Sequence, residues 1–133
     1  MQALINKLNN QFKGKAEDVI THINKISQIK TNDPIFNLNY SINICDILLN
    51  VMVDTSTLIA GIYYPFVKNN IINTNNITDY VNGDALTILL SVLKTEEIKI
   101  NTRETQTQLI KDMFMALAKD IRVIVLKLAI IVQ

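Results

Sequence analysis

"LIAGIYYPFVKNN", residues 58–70, is the stretch on which the reading of this chain turns. Ten consecutive residues, Leu58 to Val67, carry no charge, and the run then meets Lys68-Asn69-Asn70. An uncharged run of this length reads as a buried helix. Pro65 lies inside it, and a proline removes one backbone donor and crowds the preceding turn. The expectation is that Pro65 ends or kinks the helix and fixes how Phe66 and Val67 pack. The open question is why a core helix carries Tyr64-Pro65 at all.

Reading outward from this stretch, the chain continues as helices. Asp54 is a short polar acceptor placed before "TSTLIAGIYYPFV", where it closes one helix and caps the next. Before it, residues 37–53 form a helix with Ile42, Cys45, Leu48, Leu49 and Met52 inward. Residues 30–34 read as a turn, because Pro34 pushes Asp33 out of helical geometry. Residues 16–29 place Val19, Ile20, Ile23, Ile26 and Ile29 on one face, and residues 2–12 do the same with Leu4, Ile5, Leu8 and Phe12. After it, a loop and a short helix start near Asn76 or Thr78, and Gly83 breaks the chain before "DALTILLSVLK". Residues 103–132 read as one long helix with Leu109, Met113, Phe114, Leu117, Ile121, Ile124, Leu128 and Ile131 inward. "EIKIN", residues 97–101, is a short strand candidate. The fold class is therefore all-α, a helical bundle in one domain over residues 1–133, without internal repeats or linkers.

Composition supports this and narrows the function. The 133 residues are 49% apolar and 19% charged, enough for a real core and unlike a disordered chain. Three glycines and two prolines leave little material for tight β-turns. A net charge of +1 gives no case for nucleic acid or an anionic membrane as partner. The apolar run at residues 123–132 contains Lys127 and is too short to span a bilayer. The N-terminal segment is amphipathic without a signal-peptide core, and a single cysteine fits a reduced, cytoplasmic setting. The last helix stops within its apolar pattern without a C-cap. Either the chain simply ends docked in its own core, or it is a piece of a longer protein or a split-gene product, or a homo-oligomer formed through the C-terminal helix.

Side chains that carry chemistry are sparse. His22 is the one histidine, with no second imidazole or thiolate in sequence reach, and reads as a structural or surface residue. Cys45 falls on the inward face of its helix as a small core residue. Glu96, Glu97, Glu104, Asp112 and Asp120 spread along polar faces, and no glycine-rich phosphate loop is present. Tyr63, Tyr64 and Phe66 read as core or rim aromatics.

Two segments carry a family resemblance. "DTSTLIAGIYYP" (54–65) resembles the Asp-x-x-Thr-Leu-x-Ala-Ala-Leu-Leu-His-Asp segment of the RelA/SpoT family, which makes and degrades the alarmone (p)ppGpp. "MFMALAKDIRVIVLKLA" (113–129) resembles that family's M-x-x-A-M-x-x-D-x-R-V-x-x-I-K-L-A-D-R segment, in the same order and at similar spacing. The resemblance covers roughly residues 37–132 and is looser over the first helices. It implies an all-helical HD hydrolase domain, whose active members hold manganese through two histidines and two aspartates and activate water with a Glu-Asp pair. On this chain the first histidine falls on Tyr40, followed by Ser41, and the His-Asp doublet on Tyr64 and Pro65. The Glu-Asp pair falls on Lys68 and Asn69, the last aspartate on Ile130 and the arginine after it on Ile131. Tyrosine, proline and isoleucine offer no useful Mn²⁺ ligand. Without the ion there is no polarised water for attack on a pyrophosphate.

The resemblance is thus to the hydrolase-dead HD domain of the synthetase-only, RelA-type branch, in which an aromatic-proline pair replaces His-Asp. It implies no catalytic, cofactor-binding or metal-binding residue in this chain. It also implies a regulatory or scaffolding role toward a GTP pyrophosphokinase domain in the same protein or a separate chain. Two other readings stand beside it. One is an unrelated helical interaction module. The other is a (p)ppGpp phosphohydrolase with altered ligands such as Asp46, Asp54 and Asp84. The former pocket is expected to be packed with protein, with Tyr40, Tyr64 and Ile130 converging from three helices.

Overall fold

The computed structural model describes residues 2–12, 16–29, 31, 33–51, 53–96, 107, 110–111 and 121–133. The described helices are α1 (Gln2–Gln11), α2 (Ala16–Ser27), α3 (Pro34–Asn50), α4 (Thr55–Lys68), α5 (Gly83–Glu96) and α6 (Ile121–Val132), with a 3-10 turn at Ile77–Asp79. No strand occurs among the described residues, so the fold is all-α. Residues 97–101, the strand candidate, lie outside them, as do Met52, Leu109, Met113, Phe114 and Leu117.

Helix α4 is the axis of the bundle. It starts as its sequence demands: Asp54 is extended at φ −78° and ψ 172°, and its carboxylate accepts from the Thr57 N–H at 3.0 Å and the Thr57 hydroxyl at 2.6 Å. From Thr57 to Val67 every residue is buried. A helix with no polar side must be enclosed, and α4 packs against α2, α3, α5 and α6.

Pro65 does not end α4; three further residues remain helical, to Lys68. Of the two expected effects, ending the helix does not occur, and the reason is local. Pro65 removes one N–H, the one that would bond the carbonyl four residues back, while its own carbonyl still accepts from the Asn69 N–H at 3.0 Å. The stop comes at Asn70, in the left-handed region at φ 61°. There the Asn70 N–H reaches the Val67 carbonyl at 3.1 Å and the Ile71 N–H reaches the Phe66 carbonyl at 2.8 Å. This paired closure of the last carbonyls is the Schellman arrangement, with asparagine in the place glycine usually takes.

Helix α3 begins at Pro34, earlier than the expected residue 37. Asp33 is non-helical, as Pro34 requires, and its side chain accepts from the Phe36 N–H at 3.1 Å. Proline in the first turn needs no donor, so the presumed turn is the helix start itself. Cys45, Leu48 and Leu49 are buried as expected, Ile42 is only half-buried, and Ile44, not among the residues expected inward, is fully buried. Leu4 and Leu8 of α1 and Val19, Ile23 and Ile26 of α2 form the faces that the spacing indicates. Gly83 opens α5 at φ +62° rather than merely preceding it. Asn76 stands before the 3-10 turn but makes no side-chain cap there. Its carboxamide oxygen accepts from the Asn73 N–H at 3.1 Å, and Thr78 lies within the turn.

The last helix reverses the expected face. Val123, Leu126, Ala129 and Ile130 are buried, whereas Ile121, Leu128 and Ile131 are 62%, 50% and 66% exposed. Its sequence, IRVIVLKLAIIV, is apolar nearly all round, so periodicity had no polar side from which to orient it. Among the described residues no helix is long and apolar enough to cross a membrane.

Candidate functional site

Of the positions that the resemblance assigns to the metal site, Tyr40 and Tyr64 fall where α3 and α4 meet. Tyr40 lies half-buried on α3 and Tyr64 is 2% exposed in the middle of α4. Their ring centroids are 6.2 Å apart at an interplanar angle of 57°. Phe36, one turn before Tyr40, meets it edge-on at 6.1 Å and 87°. The three rings form a continuous aromatic seam, which contributes contact energy beyond area burial alone. Pro65 is buried beside Tyr64, and Ile130 is buried on α6. Helix α6 packs on both α3 and α4. The structure therefore brings Tyr40 and Tyr64 into direct contact and carries Ile130 on a third helix packed against the other two.

Lys68 and Asn69 stand at the end of α4 and are exposed. Asn69 has a structural bond: its Nδ2 donates to Asn37 Oδ1 at 2.8 Å. Asn37, only 5% exposed, in turn donates from Nδ2 to the Asp33 carbonyl at 3.0 Å. This relay ties the C-terminus of α4 to the N-terminus of α3. Beside it Ser41, 1% exposed, donates to the Ile62 carbonyl at 2.7 Å. Asn37 was missed from sequence: α3 also carries Asn39, Ser41, Asn43, Asp46 and Asn50, so no local signal singles out the buried carboxamide that must be bonded. A shallow apolar hollow of about 90 Å³ lies nearby, lined by Ile26, Ser27, Ile29, Ile35, Leu38 and Phe66.

The other candidates have structural explanations. Asp46 pairs with Lys7 at 2.7 Å. Asp54 caps α4 and accepts from Arg122 at 2.7 Å, while Asp84 lies 3.5 Å from the same guanidinium. Asp54 and Asp84 thus meet across an arginine, a juxtaposition that sequence spacing did not reveal. Burial opposes the Asp54 charge, but the hydrogen bonds from Thr57 and Arg122 outweigh it and hold the carboxyl below its ordinary value. Cys45 donates weakly to the Leu58 carbonyl at 3.8 Å. Burial, helped by Asp46, pushes its thiol up to about 12, which makes it a poor nucleophile. His22 faces Tyr63, with Nδ1 2.7 Å from the phenol oxygen.

The donor set at the α3–α4 seam is two phenols, carboxamides, a hydroxyl and an amine. Among the described residues no group of three or more His, Cys, Asp or Glu side chains is placed to hold a metal ion. Manganese coordination through imidazole and carboxylate therefore does not fit these residues. A family model described as the HD domain matches residues 16–133. No solved structure matches.

Proposed function

The chain belongs to the HD domain family, and from that premise we propose that it is a hydrolase-dead member of RelA type, a pseudo-enzyme domain that regulates or scaffolds a (p)ppGpp synthetase. The observation that carries this reading is the Tyr40–Tyr64 ring contact. At the positions where the resemblance places a histidine and a His-Asp pair, aromatic side chains fill the seam and Pro65 offers no ligand atom. Lys68 reverses the charge where a water-activating carboxylate would be needed, and Asn69 is engaged with Asn37. The outer side of α6 supports a partner as well. Leu128, Ile131 and Val132, at 50%, 66% and 72% exposure, present apolar surface suited to a synthetase domain of the same protein or of a separate chain.

The test is hydrolysis of ppGpp by purified protein with and without Mn²⁺. The expected result is no pyrophosphate release above the buffer blank. The double variant Tyr64→His with Pro65→Asp stays inactive too, because further ligands and the water-activating carboxylates are still missing. Manganese-dependent release that scales with protein through purification overturns the proposal and favours a phosphohydrolase with altered ligands.

A further inference from the structure

We propose that the His22–Tyr63 contact is an acid-sensitive latch that holds α2 against the central helix. Tyr63 is fully buried in α4, and the rings meet edge-on at 5.3 Å and 80°. Among the described residues the hydrogen-bond partner of the Tyr63 hydroxyl is His22 Nδ1, at 2.7 Å. On its other side the Tyr63 ring lies 6.1 Å from that of Tyr80.

The chemistry of this pair has one stable arrangement. Burial raises the Tyr63 phenol pKa, so the hydroxyl keeps its proton throughout the accessible range. That proton needs an acceptor, and the neutral imidazole supplies one at Nδ1 when its own proton sits on Nε2. Protonating His22 turns the acceptor into a donor. The phenol oxygen then accepts instead, and its own proton is left facing a buried surface without a partner, which is costly.

The charged groups near the imidazole are Asp18 and Lys25, both on α2; across the seam stand Tyr63 and, behind it, Tyr80. Burial lowers the His22 pKa, Lys25 lowers it further, and Asp18 offsets part of the effect. The folded state therefore binds the proton less readily than the unfolded chain. The contribution of the latch is complete above the ordinary value of 6.5 and is lost as the pH falls below it. Because Val19, Ile23 and Ile26 reach the core from the same helix, release loosens the whole α2 seam and uncovers part of α4.

The chain contains one histidine, so its ring proton resonance titrates without overlap. NMR titration should give a wild-type midpoint below 6.5 that moves upward in Tyr63→Phe. Amide exchange over residues 16–27, corrected for intrinsic rates, should quicken about tenfold per unit of pKa depression as the imidazole protonates. His22→Gln can accept the hydroxyl without titrating, and its α2 exchange should be independent of pH in this range. An unchanged midpoint in Tyr63→Phe overturns the latch. So does wild-type α2 protection that is flat with pH, or an acid response that survives in His22→Gln. If Tyr63→Phe does not fold, the exchange comparison between wild type and His22→Gln decides alone.

Discussion

Gly61→Ala sets two physical effects of opposite sign against each other where α4 closely approaches α3. Alanine in a helix interior is favoured over glycine by about 1 kcal/mol. The added Cβ, however, would lie 2.9 Å from Ile44 Cγ2, 3.1 Å from Leu48 Cδ1 and 3.4 Å from Leu126 Cδ1. Comfortable carbon–carbon separations are about 3.5–4.0 Å. Ile44, Leu48 and Leu126 are each 0% exposed, so none can swing into solvent, and Ile44 is stiff at χ1 because it is β-branched. Overpacking of this kind costs about 1–3 kcal/mol. The net expectation is a loss of up to about 2 kcal/mol, read from urea midpoints at an unchanged m-value. Ile44→Leu removes the branching methyl that the new Cβ meets. The double variant should therefore show a favourable coupling of about 0.5–3 kcal/mol relative to the two singles. If Gly61→Ala alone gains the full helix-propensity term and shows no coupling to Ile44→Leu, the close approach of α3 and α4 is refuted. The RelA/SpoT segment carries alanine at this position, so the test also asks whether the two helices of this chain have closed over a missing methyl.

Two other outcomes are expected. Tyr64→Ala removes a buried ring from the α3–α4 seam and should destabilise the fold by about 3–5 kcal/mol in urea unfolding; a loss below about 1 kcal/mol would mean that the ring is not packed core. Asp54→Ala removes the cap of α4 and should cost about 0.5–2 kcal/mol at neutral pH. Because the folded-state Asp54 pKa is lowered from 3.8, this contribution is complete above that value and shrinks as the pH falls through the folded pKa; a penalty that grows in acid would contradict the assignment.

Much of the fold was legible because local signals agreed with the tertiary arrangement. The Asp54 cap of α4 and the one-sided faces of α1 and α2 can be read residue by residue, whereas the Asp33-Pro34 helix start reads from sequence as a turn. Where a helix is apolar on every side, periodicity loses its phase. That cost nothing for α4, which is enclosed, but inverted α6, whose buried face runs through Val123, Leu126 and Ala129 rather than Ile121, Leu128 and Ile131. The end of α4 was legible to within one residue of its place, but the residue that stops it was not. Proline is the conspicuous breaker, yet the left-handed conformation at Asn70 does the stopping, and asparagine announces it weakly. At the candidate site, single positions could be matched, but the contacts that weld them were invisible. Nothing in the spacing links Asn37 to Asn69, 32 residues apart, or His22 to Tyr63, 41 apart, because such pairs are created by packing.

Under the proposed RelA-type reading, the burial of α4 also accounts for a Tyr64-Pro65 pair standing alongside non-ligand residues at Tyr40 and Ile130. An imidazole and a carboxylate in a helix buried from Thr57 to Val67 would be expensive without an ion or hydrogen-bond partners to compensate them. In an active relative the metal would provide that compensation, and the ligands would be tolerated in the core because they hold it. With non-ligand residues at Tyr40 and Ile130, a lone His-Asp pair at 64–65 would be a liability on that reading. A ring that packs against Tyr40 at 6.2 Å removes this cost. The proline costs less than its place inside a helix suggests, since it falls in the last turns and removes one backbone bond. On that reading the positions are coupled: a site lacking part of its ligand set favours apolar volume at the rest, and α4 serves as the central packing element of the bundle.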